Sequence, residues 1–331
     1  MEIPFRWLDE NNVSIDRNNV DHLNCSESAL LWAALTVGAP SPVAFTQNIL
    51  DTPAFALQKW FAILSVVDFQ NNEIKLRDSY HTLDPSEKGV LSYWTGMTFA
   101  KLAADQVLRA PWMAHARLMK VSGALQVTPS NTKSLPDLVG YGDDPVLGEG
   151  WHVIEAKGLQ RTAWSSLRQQ YKNQIGVVES VHGETKITKN YCITYLRSSF
   201  SVDLHDPEDV AKESIKIDVT PRGIQKFYYK PFYEFFKDSA KDSDTSKTKK
   251  FLYKKILCDP SCKKCCCIGI AKDVFEQVRE WELGEDTKSD NRTNLLKNID
   301  VSKMKNDEFF REGDIYIGSD GIFVKIMVND S

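Results

Sequence analysis

A mixed α/β fold is predicted by three features of the sequence. Beyond Asp84-Pro85, the residues Tyr93, Met97, Ala100, Ala104 and Val107 recur at spacings of four and three, the stripe of an amphipathic helix. Two β-rich runs flank a turn-rich segment from Gly140 to Gly150, which marks a hairpin over 136–157. Tyr191-Cys192-Ile193-Thr194-Tyr195-Leu196 is an unbroken run of strand formers and reads as a buried strand.

Composition narrows the class. At 331 residues the length suggests about two domains. The hydrophobic fraction of 42% and charged fraction of 26% are those of an ordinary globular protein. No stretch approaches the roughly 18 apolar residues of a membrane helix, and Met-Glu-Ile-Pro-Phe-Arg lacks the features of a signal peptide. A net charge of −4 excludes binding of a polyanion by bulk positive charge, so any such contact must use a local patch. Seven cysteines, crowded towards 258–267, do not form a disulfide framework and imply a reducing, cytoplasmic setting.

Taken in order, residues 1–84 read as a helical N-terminal region. Asn24 and Glu27 resemble a capping box before Ala29–Leu35, and Gly38 with Pro40 stops that helix. Asp51 or Thr52 caps a second helix that runs to Val67. Residues 85–236 form the core: the helix after Asp84, a strand over Met113–Val121, the hairpin, a helix over 162–181 with Trp164, Leu167, Tyr171, Ile175 and Val178 on its apolar face, and the strand at 191–196. Ile215, Ile217 and Val219 alternate as a further strand. The aromatic and lysine run at 226–237 reads as core anchors, with base stacking as the rival use. Residues 237–250 are a polar, mobile linker. Residues 251–331 form a Cys-rich α/β appendage, with a helix near Val274–Trp281 and a hairpin over Ile315–Ile326.

The hairpin carries the chemistry. Alternation along its second strand puts Glu155 and Lys157 on one face, and Asp137 at the mouth of the first strand can reach the same spot. Two carboxylates can hold Mg²⁺, a hard cation that takes oxygen ligands and keeps several waters. Such an ion polarises a phosphodiester and lowers the pKa of a bound water. Lys157 can orient that water or neutralise charge on phosphorus. The structural alternative is an exposed hairpin with surface charges.

Pro136, Asp137, Glu155 and Lys157 resemble the motif of the PD-(D/E)xK nuclease superfamily. The resemblance covers roughly residues 85–200. It implies a restriction-endonuclease-like core of helix, three-stranded meander, helix and strand. It implies Asp137 and Glu155 as metal ligands, joined by the Ala156 carbonyl, with Lys157 as the catalytic lysine. Mg²⁺ is the implied cofactor, for which Mn²⁺ can substitute. DNA is favoured over RNA as substrate, and restriction, anti-phage defence or repair as the setting. Partners implied are nucleic acid, a second copy of the chain, or a defence or repair protein. Glu87, early in the core helix, is an accessory carboxylate, though a favourable charge at a helix start is the simpler role. Gln160, Gln169 and Gln170 lie beyond the motif, where relatives carry polar residues. The Gln-x-x-x-Tyr pattern of the RecB-like branch is not met, since Asn173 and Gln174 stand where Tyr is needed.

Arg161, Arg168 and Lys172 recur at seven and four residues, a basic stripe suited to backbone phosphates or to a solvated helix face. Cys258, Cys262 and Cys265 have the spacing of part of a zinc or iron–sulfur site, with Cys25 as the upstream thiol in the latter. The simpler reading is a reduced cysteine-rich turn. The rival to an enzyme is a non-catalytic nucleic-acid-binding or assembly module on the same fold, which would have no need of Asp137.

Overall fold

The computed structural model describes residues 1–9, 11–15, 20–37, 51–70, 73–132, 134–144, 148–197, 199–207, 214–237, 245–247, 250–259, 264–284, 310 and 313–328. The chain opens with β1 (Glu2–Leu8), β2 (His22–Asn24), α1 (Glu27–Thr36), α2 (Asp51–Val66), β3 (Val67–Gln70), β4 (Glu73–Leu76) and α3 (Ser79–Thr82). The middle holds α4 (Pro85–Gln106), β5 (Ala114–His115), α5 (Ala116–Ser122), β6 (Gln126–Thr128), β7 (Leu138–Asp144), β8 (Gly148–Leu159), α6 (Ser165–Gly176), β9 (Val178–Val181) and β10 (Ile187–Tyr195). Next come β11 (Ser201–His205), β12 (Ile215–Asp218), α7 (Pro221–Phe236) and β13 (Thr245–Lys247). The last elements are β14 (Phe251–Asp259), β15 (Lys264–Ala271), α8 (Lys272–Glu282), β16 (Asp314–Ile317) and β17 (Ile322–Val328).

The fold is mixed α/β around a seven-stranded sheet of order β2-β1-β11-β10-β8-β7-β5. β5, β7 and β8 form an antiparallel meander; β10 joins β8 in parallel, and β11 runs antiparallel to β10. α4 begins with a capping box in which the Asp84 amide donates to Glu87 Oε2 at 3.0 Å. Its buried face packs on β8 and β10, over Leu138, Ile154, Ala156 and Cys192. α6 packs against the same two strands, with Tyr171 clustering with Tyr191, Ile193 and Tyr195 on the opposite face. The alternation of β8 thus divides one strand between two helices.

Several elements depart from expectation. The N-terminal region is not all helix: Ile3, Phe5 and Trp7 are buried alternately along β1, which pairs in parallel with β11 inside the central sheet. The strand expected over Met113–Val121 shrinks to β5, and Ala116–Ser122 is helix, ended by Gly123 in the left-handed region at φ 77°. Ala116, Leu118, Met119 and Lys120 are strong helix formers, and Gly is the favoured residue at such a stop. The helix expected over 162–181 ends at Gly176, and Val178–Val181 is a strand paired with β12. The hairpin strands extend through Gly140, Gly142 and Gly150, leaving a shorter turn than expected. Gly140 and Gly142 are there because β7 passes against Met113 and Ala110, where an added Cβ would come within 2.2 and 2.4 Å of a neighbouring atom.

The aromatic run at 226–237 lies in α7, whose Tyr228, Tyr229, Phe232 and Phe236 are buried, so the core role holds and these four offer no surface for stacking. Part of the expected linker, Thr245–Lys247, is a strand paired with β14; 238–244 and 248–249 lie outside the described residues. The C-terminal sheet, β13-β14-β15-β17-β16, packs through β16 and β17 on the buried helix α1. Asp314 accepts from the Ser28 amide and hydroxyl at 2.9 and 2.8 Å. Among the described residues, no helix is long and apolar enough to cross a membrane.

Candidate active site

β7 and β8 place the three motif residues by register. Leu138 pairs with Ile154, so Asp137 stands level with Glu155. Trp151 and Val153 point into one core cluster, and Ile154 and Ala156 into another; Glu155 and Lys157 therefore share the face of Trp151. The Ala156 amide donates to Asp137 Oδ2 at 2.9 Å and fixes that carboxylate. Lys157 Nζ donates to Glu155 Oε1 and lies 3.6 Å from Asp137 Oδ2, bridging the two acids. The ring of Tyr171 on α6 lies under the ammonium, 5.5 Å from centroid to Nζ.

Glu155 is 2% exposed, and its Oε2 has no hydrogen-bond partner among the described residues. Burial pushes its pKa up to about 7; the charge of Asp137 adds to the rise and Lys157 opposes it. A buried carboxylate oxygen without a donor is costly, and a cation or a proton relieves that cost. The donor set, two carboxylates beside the Ala156 peptide, is all oxygen and suits Mg²⁺ or Mn²⁺ with water completing the shell. Among the described residues, no group of three or more His, Cys, Asp and Glu is gathered for a metal.

Two neighbours complete the surroundings. Tyr93, expected on the apolar stripe of α4, is 44% exposed, and its hydroxyl hydrogen-bonds His115 Nε2 at 2.9 Å. Burial, then the charges of Asp137 and Glu155, push the Tyr93 phenol up to about 12. Burial holds His115 below the ordinary histidine value, against the pull of Asp137. Trp164, expected on the buried face of the second core helix, caps α6 from outside and is 52% exposed. A helix start one turn later than expected turns it outward.

Of the accessory residues, Glu87 is occupied in the capping box of α4. Gln160 donates to the Tyr80 hydroxyl at 2.9 Å and lines a cavity beside Lys157. Gln169 pairs with Asn173 at 3.0 Å on exposed α6, and Gln170 is exposed nearby. The basic stripe is not one row on a helix. Arg161 precedes α6 and is exposed, whereas Arg168 is half-buried and its charge acts on Tyr191, Tyr195 and His205. Lys172, half-buried one turn on, also acts on His205.

The cysteine cluster is strand rather than turn. Cys265, Cys266 and Cys267 are buried on β15; Cys265 is disulfide-bonded, so the reduced-turn reading fails there and its sulfur is not a free thiolate ligand. Cys258 stands opposite Cys265 in register, and Cys262 lies outside the described residues. Cys25 is fully buried, and burial pushes its thiol up.

Compared with family models, curated proteins and solved structures, the chain matches none.

Proposed function

We propose that this chain is a divalent-metal-dependent nuclease that hydrolyses phosphodiesters, with DNA the favoured substrate. The observation that carries the reading is the meeting of Asp137, Glu155 and Lys157 in one cluster whose buried Glu155 Oε2 lacks a partner. The succession of α4, the β5-β7-β8 meander, α6 and the parallel strand β10 supports it, being the order that the PD-(D/E)xK resemblance implies. A setting in restriction, anti-phage defence or repair follows from the same resemblance.

Asp137, Glu155 and the Ala156 carbonyl would hold Mg²⁺, which supplies Lewis acidity and an activated water. The chain's own residues set the geometry. The Ala156 amide fixes Asp137, so that carboxylate needs no reorganisation on binding substrate. The Lys157 ammonium, steadied over Tyr171, lies where it can neutralise charge growing on the phosphoryl oxygens. Burial of Glu155 keeps bulk water from screening that charge. In the reaction a water oxygen bonds to phosphorus and one ester P–O bond breaks, releasing an alcohol end and a phosphomonoester.

The test is cleavage of supercoiled plasmid, linear duplex, single-stranded DNA and RNA with Mg²⁺, Mn²⁺ or EDTA. Cutting that needs metal and disappears in Asp137→Ala, Glu155→Ala and Lys157→Ala supports the reading. Nucleic-acid binding without cutting under any condition favours the non-catalytic module instead.

A further inference from the structure

A cavity of about 570 Å³ opens beside Lys157, between the start of α4, the end of β8 and the start of α6. Its volume is that of a small-ligand pocket, roughly 300–1,000 Å³. Three cations, Lys88, Lys157 and Arg161, line it, and no carboxylate does among the described residues. In a chain of net charge −4 this is a local inversion of sign. Two large rings, Tyr93 and Trp164, also line it, 44% and 52% exposed. Both rings are thus open to solvent at the cavity wall. The Arg161 guanidinium sits 5.5 Å from the Trp164 ring centroid, a cation–π contact that steadies the indole.

We infer that this cavity receives an unpaired nucleotide next to the scissile phosphate, its base stacked on Trp164, so that the substrate is a single-stranded or locally opened polynucleotide. The inference rests on the nuclease reading for where the scissile phosphate lies. The chemistry follows from the lining. Phosphates are met by the three cations. A base face is met by an aromatic ring, a contact open to any base because every base has a π-face. A closed duplex has no base face to offer, since its bases are stacked on one another, and could meet this wall only through its backbone. Gly89 in the lining, where an added Cβ would meet nothing within 4 Å, leaves room for a planar group. The position fits the site as well: Tyr93 borders the cavity and feels the charges of both Asp137 and Glu155.

The test reads binding without chemistry. A fluorescein-labelled single strand of thymidylates and a blunt-ended hairpin duplex of similar length are titrated with the full chain in EDTA and followed by anisotropy. Wild type, Trp164→Ala and Trp164→Phe are compared, with circular dichroism melts as the check on folding. Expected are preference for the single strand and about tenfold weaker single-strand binding in Trp164→Ala, the size of one lost base stack. Trp164→Phe should recover most of it, and hairpin binding should not change among the three. Equal single-strand binding by wild type and Trp164→Ala, preference for the blunt hairpin, or no single-strand binding at all would overturn the inference. Because no metal is present, the two readings fail separately. A protein that cuts nothing yet binds through Trp164 loses only the nuclease reading. A protein that cuts, with binding indifferent to Trp164, loses only this one.

Discussion

Gly96 on α4 approaches Gly158 on β8 so closely that a Cβ added at Gly96 would stand 2.7 Å from the Gly158 amide nitrogen and from the Lys157 carbonyl carbon. The contact is mutual, since a Cβ at Gly158 would stand 2.1 Å from the Ser92 carbonyl oxygen. These obstacles are backbone and cannot swing aside. The two glycines let the core helix lie directly on the strand end that carries Lys157. Gly96→Ala should therefore lower stability by about 1–3 kcal/mol, as overpacked cores do. It should also reduce metal-dependent cleavage, because α4 can withdraw only by shifting Lys157. Urea denaturation and a cleavage rate on the same preparation check both.

Glu155 gives a pH signature in the absence of metal. Its pKa is raised from the ordinary carboxyl value to about 7 by burial and by Asp137. The folded state then holds the proton more tightly than the unfolded state. The resulting stability is fully present below about pH 4.5 and is lost as pH rises through about 7. Glu155→Gln removes that loss. In EDTA the variant should gain on wild type as pH rises from 4.5 to 7, with a slope approaching about 1.4 kcal/mol per pH unit, and the gain should level off above pH 7. A difference curve from denaturation at stepped pH reads it; a flat curve would contradict a buried, proton-holding Glu155.

His205 gives the opposite slope. It is fully buried, stacked on Tyr191 at 4.3 Å, and has no hydrogen-bond partner on either ring nitrogen among the described residues. Burial, then the charges of Arg168, Arg6 and Lys172, hold its pKa down to about 3. The unfolded chain takes up this proton first, so stability falls as pH drops from about 6.5 towards 3. His205→Phe keeps the stack and removes the titration. The variant should lose less stability than wild type over that window, measured again as a difference curve.

A buried ionic cluster fastens the C-terminal sheet to the core. Lys101 on α4 is fully buried, donates to the Pro111 carbonyl, and lies 3.0 Å from the Tyr228 hydroxyl. That hydroxyl donates at 2.5 Å to Asp320, in the turn between β16 and β17. Asp320 also accepts from Trp32 Nε1 at 3.3 Å and from the Ile322 amide at 2.9 Å. Lys101→Met leaves a buried carboxylate without its countercharge and should cost about 3–5 kcal/mol. Adding Asp320→Asn should recover part of that loss rather than deepen it. Additive losses in urea denaturation would show that the two residues do not act as a pair.

Much of this site is legible in the sequence because it is local. Asp137, Glu155 and Lys157 lie on one hairpin, where period-two alternation and turn residues fix relative position. The α4 stripe is local in the same sense. What escaped depends on distant parts of the chain. β1 alternates clearly, yet its place beside β11 is a contact across nearly two hundred residues. Ala116–Ser122 has strand-like hydrophobic content, but its Ala, Leu, Met and Lys propensity and the Gly123 stop favour helix. Trp164 faces outward because α6 starts at Ser165, about one turn later than the apolar spacing indicates. The bridging of Asp137 and Glu155 by Lys157, and the burial of Glu155, are tertiary facts that no spacing encodes.

If Asp137 and Glu155 form a divalent-cation site, calorimetric titration with Mn²⁺ at pH 7.5 and pH 6.0, on wild type and Asp137→Ala, will register it. Saturable binding to wild type and none to Asp137→Ala is expected. Binding should weaken at pH 6.0, with proton release, because Mn²⁺ must displace the proton that Glu155 holds up to about pH 7. The absence of binding to wild type, or equal binding to both proteins, would contradict such a site.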